Sequence, residues 1–121
     1  MTNEWKPIFD QNSIYEHLES EDKELIKLLY EEYLVQLNDL SRFMTKFGPA
    51  SATTKEMSFF AHRLKSSSGV VGANQLEAAI RVFEQAANTD PYELQALFST
   101  ISMLLEPTRC AIEIAVREIH Q

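Results

Sequence analysis

Apolar residues recur at intervals of three and four along most of the chain, which is the spacing of amphipathic α-helices. The clearest segment begins after Ser20, a candidate helix cap, and ends at Gly48 and Pro49. The residues that recur there at three and four are Leu25, Leu28, Leu29, Tyr33, Gln36, Leu37, Leu40, Met44 and Phe47, all apolar except Gln36. Strand-like alternation is not sustained anywhere in the sequence, so the pattern predicts an all-α protein.

A second helix is predicted from Thr53 to about Ser68, because Thr53-Thr54-Lys55-Glu56 has the form of a capping box. Residues Gly69 to Gly72 break the periodicity and predict a short turn. A further helix follows this turn, with Leu76, Ala79, Ile80, Phe83 and Ala87 as its buried stripe. The short turn makes these two helices antiparallel neighbours.

The last helix opens at Asp90 and Pro91, a cap followed by proline at the first helical position. Pro107 lies inside it, and we predict a kink rather than two helices because the apolar stripe continues in phase. Residues 10–18 predict a short helix that needs a packing partner. The predicted fold is an antiparallel four-helix bundle with a short N-terminal helix across one end. It forms a single domain over residues 1–121, with residues 1–7 as a flexible lead-in.

Composition narrows the possible partners. The 121 residues carry a net charge of −7, which disfavours binding to nucleic acid or to an anionic membrane. Cys110 is the only cysteine, so no internal disulfide forms, and we interpret it as a small apolar helix residue. The N-terminus shows no signal peptide and the apolar runs are far shorter than a membrane span. These features predict a cytoplasmic protein.

His62 has a setting that suits chemistry. On a helical wheel it lies roughly 140° from Met57, outside the apolar arc, so its imidazole is expected to face outward. An unperturbed imidazole has a pKa of about 6.5 and is mostly a neutral nucleophile at pH 7. Lys65, one turn on, offers positive charge to an attacked phosphoryl group, and the small residues nearby leave room for another protein. The pattern favours a phosphoryl carrier.

The segment His62-Arg63-Leu64-Lys65-Ser66-Ser67-Ser68, followed after three residues by Gly72, resembles the signature of histidine-containing phosphotransfer (Hpt) domains. That signature reads His, any residue, Leu, Lys, Gly, Ser, Ser or Ala, three residues, then Gly. Ser66 departs from it, because the family often has glycine there. The resemblance extends over most of the chain as a helix pattern and over residue identities from about Ala61 to Glu84.

The resemblance implies that His62 accepts a phosphoryl group from an aspartate of a response-regulator receiver domain and passes it to another receiver. Lys65 would stabilise the charge, and Glu84 would hydrogen-bond the imidazole, unless it is an ordinary solvated residue. Magnesium is expected on the receiver, with no cofactor intrinsic to this chain. A hybrid sensor histidine kinase is the other implied partner, and the family implies a monomer. The sequence has no ATP-binding motif, so the chain is not expected to phosphorylate itself.

The residues expected to dock the receiver surround His62: Ser58, Phe59, Arg63, Ser66 and Gly69. For Phe59 the alternative is coverage by the first helix. Ser66 leaves open a second function, a helical adaptor that binds a receiver or a histidine kinase without accepting phosphate. A metal-binding bundle is disfavoured, because the three histidines lie on separate segments without ligand spacing: His17, His62 and His120.

Overall fold

We describe residues 6–86 and 90–119 of a computed structural model. These residues form five α-helices and no strand, which confirms the all-α prediction. A 3₁₀ turn that the sequence did not predict, Pro49–Thr53, joins the second and third helices. The helices are α1 Ser13–Leu18, α2 Lys23–Phe47, α3 Lys55–Val71, α4 Asn74–Ala86 and α5 Pro91–Ile119.

The four long helices form a closed ring, in which α2 and α4 each pack against both α3 and α5. Side-chain contacts give the directions of α2 and α3. Arg63 contacts Asp39, and Ser67, one turn later, contacts Gln36, which is earlier in α2. The two helices therefore run antiparallel, as the bundle prediction requires.

The core lies between the four long helices. The predicted stripe of α2 is correct for Tyr33, Leu37, Leu40 and Met44, which are buried, but it is wrong near both ends of the helix. Leu25, Leu28 and Phe47 are 38%, 56% and 54% exposed, whereas Ile26 and Tyr30 are buried. At the start of α2 this difference arises because the N-terminal segment packs on the Tyr30 side of the helix. The Phe9 and Tyr30 rings are in an edge-to-face arrangement with their centroids 5.9 Å apart. The largest fully buried side chains are Tyr30, Tyr33, Phe83, Ile14, Ile26, Leu37, Leu40, Met57, Leu64, Leu76, Ile80 and Leu94.

Two of the predicted helix starts are displaced, that of α2 by two residues and that of α3 by one, whereas α5 begins at Pro91 as predicted. The cap of α2 is Asp22, whose carboxylate accepts from the backbone N–H of Glu24 and Leu25, while Ser20 instead accepts from the Asp22 N–H. The cap of α3 is Thr54, which accepts from the Met57 N–H at 3.1 Å. In each case the residue nearer the helix has the extended backbone that a cap requires.

The predicted turn from Gly69 to Gly72 is wrong in its length, because α3 continues to Val71. Gly72 alone ends the helix, with φ +88° and its N–H donating to the Ser68 carbonyl. The Asp10 N–H donates to the Gly72 carbonyl at 2.9 Å, so the segment before α1 is attached to the α3–α4 junction.

The chain ends differ in detail from the predictions. Helix α1 is shorter than residues 10–18, and the Lys6 carbonyl accepts a hydrogen bond from Gln75; residues 1–5 of the predicted lead-in lie outside the described range. Helix α5 runs through Pro107 as one helix, and the kink there remains a prediction. Cys110 is exposed on α5, not packed as an apolar residue. None of the described helices combines the length and apolar character needed to cross a membrane.

Candidate functional site

His62 lies in the middle of α3 on the side facing away from the core. Its neighbours Ala61 and Leu64 are buried, as the helical wheel requires, while 72% of the imidazole side chain is exposed. The ring is therefore open to a second macromolecule without any movement of the bundle.

Glu84 on α4 lies beside the imidazole. Its Oε2 atom is 3.0 Å from Nδ1 of His62. An ionised carboxylate can only accept, so we assign the proton to Nδ1 in the neutral ring. The lone pair is then on Nε2, the ring nitrogen that does not contact Glu84, and this atom is the nucleophile that the arrangement offers.

Lys65 completes this arrangement. Its Nζ atom is 2.7 Å from the other oxygen of Glu84, Oε1, so one carboxylate binds both the imidazole and the ammonium group. Partial burial raises the pKa of Glu84, but hydrogen bonds and charge from Lys65 and His62 outweigh burial and lower that pKa overall. Glu84 is therefore an anion at neutral pH, and Lys65 is held within one turn of His62.

Two other residues near α4 have structural partners. Arg81, one turn before Glu84 on α4, pairs with Glu77 at 3.0 Å and makes no hydrogen bond to His62. Gly69 is half-buried and packs against the same Glu77. A Cβ atom at position 69 would lie 2.9 Å from Oε2 of Glu77. Packing within the chain thus favours a small residue at position 69, and a docking role for Gly69 remains a prediction.

The exposed surface next to His62 includes Ser58, Phe59 and Ser66. Phe59 is 61% exposed, so the alternative that α1 covers it is wrong. Its ring packs against Phe60 in an edge-to-face arrangement, with the two ring centroids 5.7 Å apart. A large apolar side chain one turn from an exposed histidine is an anchor that a protein partner can bury.

Arg63 contacts α2, whereas His62 contacts α4 through Glu84. Its guanidinium lies 3.3 Å from Oδ2 of Asp39 on α2. No local sequence pattern points to Asp39, because only the packing of α2 against α3 brings the two residues together. Predicting this contact would have required the register between the antiparallel helices α2 and α3.

Metal ligation receives no support from this site. Within residues 6–86 and 90–119, no three histidine, cysteine, aspartate or glutamate side chains are grouped to hold an ion. His17 is on α1, where its Nδ1 lies 3.1 Å from the Ser13 carbonyl, and His120 lies outside the described ranges.

Comparison with known families agrees with this geometry. The family model described as Hpt domain matches residues 24–120, which include α2 to α5 and His62. Comparison with curated proteins and with solved structures gave no significant match. The match covers well over half of the chain, and the protein therefore belongs to the Hpt domain family, whose members carry phosphoryl groups in two-component signalling.

Proposed function

We propose that this protein is a phosphorelay carrier in which His62 accepts a phosphoryl group from the aspartate of one receiver domain and passes it to another. The observation that carries the proposal is the exposed imidazole with Nδ1 bound to Glu84 at 3.0 Å. This geometry presents Nε2 as a nucleophile toward solvent, where a partner can reach it.

In the forward step, the Nε2 lone pair attacks the phosphorus of the receiver's aspartyl phosphate. An N–P bond forms, the P–O bond to the aspartate breaks, and the aspartate leaves as a carboxylate. Because Nδ1 keeps its proton, the phosphorylated ring becomes cationic, and the adjacent Glu84 carboxylate stabilises that charge. The return step to a second receiver reverses these bond changes.

Lys65 supplies positive charge to the same reaction. Its ammonium group is bound to Glu84 and sits within one turn of His62, so it can shift from the carboxylate toward the phosphoryl oxygens during transfer. The receiver would contribute the magnesium ion and most other catalytic groups. This chain contributes the nucleophile, a cation and the docking surface.

The proposed partners are receiver domains and a hybrid sensor histidine kinase. Ser58, Phe59 and Ser66 are exposed around His62 and would lie under the receiver, with Phe59 as the apolar anchor. We propose a monomer acting in the cytoplasm, since one exposed histidine per chain suffices for the relay.

The test is phosphoryl transfer from a panel of receiver domains that have been phosphorylated with acetyl phosphate. We expect an acid-labile, base-stable label on the wild type, none on His62→Gln, and an unchanged label on the control His17→Gln, which removes another exposed histidine. If a receiver binds but no label is transferred, the chain is an adaptor. Label on His62→Gln would place the acceptor elsewhere.

A further inference from the structure

Three basic side chains near His62 each face a carboxylate of the same chain, in a protein of net charge −7. At these three positions an anionic partner that approaches His62 meets a cation that is already paired. The pairs are Arg63 with Asp39 at 3.3 Å, Lys65 with Glu84 at 2.7 Å, and Arg81 with Glu77 at 3.0 Å.

Of these, the Arg63–Asp39 pair has the longest separation and the most exposed carboxylate. The Asp39 side chain is 37% exposed, whereas those of Glu84 and Glu77 are 24% and 23% exposed. Surface pairs of this kind are weak and exchange with solvent and salt. Lys65, by contrast, is held at the carboxylate that also binds His62, and it already has a place in the transfer step.

A partner that reaches His62 must also cover Arg63. A stable protein interface buries about 800 Å² on each side, which corresponds to a patch of roughly 16 Å radius around the reacting atom. Arg63 directly follows His62 in α3 and lies well within that patch. Its guanidinium has the planar donor arrangement that binds a carboxylate or a phosphate through two hydrogen bonds.

We propose that Asp39 is a charge gate for docking: it competes with an anionic group of the incoming receiver for Arg63. The inference rests on the proposed function and adds a residue to it. Only a receiver with an anion at the α2 side of His62 can displace Asp39, so the gate makes docking selective. Asp39 affects association and leaves the chemistry at Nε2 alone.

The experiment uses the full chain and the receiver that labels the wild type fastest in the panel above. Asp39→Asn is compared with Glu118→Gln, which removes the same charge from an exposed residue on α5, the helix across the ring from α3. We expect Asp39→Asn to lower the KM for the receiver about two- to fivefold at low salt, with kcat unchanged. The effect should nearly disappear at about 0.5 M salt. Glu118→Gln should differ little from the wild type.

A double-mutant cycle separates the gate from general repulsion. Arg63→Gln should raise the KM, and adding Asp39→Asn to it should produce no further change, because the gate acts only through Arg63. If Asp39→Asn lowered the KM equally in the wild type and in the Arg63→Gln background, the gate would be overturned. An Asp39→Asn variant whose KM matches that of the wild type at low salt would also overturn it.

A small phosphodonor distinguishes failure of the gate from failure of the carrier function. With phosphoramidate, a ring nitrogen attacks phosphorus, the P–N bond of the donor breaks, and ammonia leaves; no protein docking is involved. Asp39→Asn should be labelled at the wild-type rate by this donor, and a faster rate would overturn the gate. Wild-type protein that takes no label from phosphoramidate or any receiver would refute the carrier function, and the gate with it.

Discussion

The Nδ1 atom of His62 lies 3.0 Å from Oε2 of Glu84, although the two residues are 22 positions apart and on different helices. The contact exists because α3 and α4 are joined at Gly72 by a reversal so short that the two helices lie side by side. It fixes which ring nitrogen holds the proton, and it leaves the other nitrogen exposed. The proposed chemistry follows from this one contact.

The first prediction concerns the ionisation of Glu84. Lys65 and His62 lower the pKa of Glu84 below 4.5, so a ¹³C NMR titration of its side-chain carboxyl should have a midpoint under that value. Lys65→Met should move the midpoint upward, whereas the control Lys27→Met on α2 should leave it in place. A midpoint at or above 4.5 in the wild type would refute the bridging role of Glu84.

The same pKa shift sets the sign of the pH dependence. Because the folded pKa of Glu84 is below its unfolded value, the unfolded state binds more protons as the pH falls through this range. The stabilisation from Glu84 is therefore fully present above pH 4.5 and is lost as the pH falls through the folded pKa. In Lys65→Met, the free energy of unfolding should therefore decrease less than in the wild type as the pH falls through this range.

The second prediction concerns space at Ser66. This exposed residue is one turn from His62, and a large side chain there would hold a receiver away from Nε2. Ser66→Leu should slow transfer from the receiver by at least about tenfold, while Ser66→Ala stays within about twofold of the wild type. Ser99→Leu, on α5, is the control for adding an exposed leucine. Rapid receiver transfer to Ser66→Leu would place the docking surface elsewhere.

The third prediction compares two buried tyrosines of α2. Tyr33 and Ser68 share a 2.7 Å hydrogen bond in the core, whereas the Tyr30 hydroxyl is buried without a partner among the described residues. Tyr33→Phe should lower the free energy of unfolding by about 1–2 kcal/mol, because the Ser68 hydroxyl loses its partner. Tyr30→Phe should change it by less than about 0.5 kcal/mol or increase it. Urea unfolding measures both, and equal losses would contradict the assignment.

The fourth prediction concerns the α3–α4 junction. A Cβ atom at Gly72 would overlap the Asp10 carbonyl oxygen, and the left-handed backbone adds strain. Gly72→Ala should therefore cost about 2–4 kcal/mol of unfolding free energy. Gly69→Ala, within α3, meets only the movable end of the Glu77 side chain and should stay within about 1 kcal/mol of the wild type. Similar urea midpoints for the two variants would refute this account of the junction.

The outward position of His62 could be predicted from the sequence because it depends on one helix alone. A rotation of about 100° per residue separates His62 from Met57 and Leu64 without any knowledge of the other helices. The placement of Glu84 beside the imidazole came from the family resemblance. The Arg63–Asp39 contact depends on the register between two helices, which no local pattern contains.

The helix ends were predicted less well, for local reasons. Thr53 and Thr54 have equivalent hydroxyl groups, and the 3₁₀ turn Pro49–Thr53 includes the first, so the second becomes the cap. Gly69 breaks the apolar pattern but stays helical, and it lies where α4 packs so closely that a Cβ atom would be 2.9 Å from Oε2 of Glu77. The sequence alone does not distinguish Thr53 from Thr54 as the cap, or Gly69 from Gly72 as the end of α3. The structure around each pair decides which residue takes that place.

The central claim is that Nε2 of His62 carries the phosphoryl group. The most direct measurement is long-range ¹H–¹⁵N and ³¹P NMR of ¹⁵N-labelled protein that has been phosphorylated by a receiver. Our account predicts phosphorus bonded to Nε2 of His62, with the proton on Nδ1 beside Glu84. Phosphorus on Nδ1, on another residue, or on no histidine at all would contradict it.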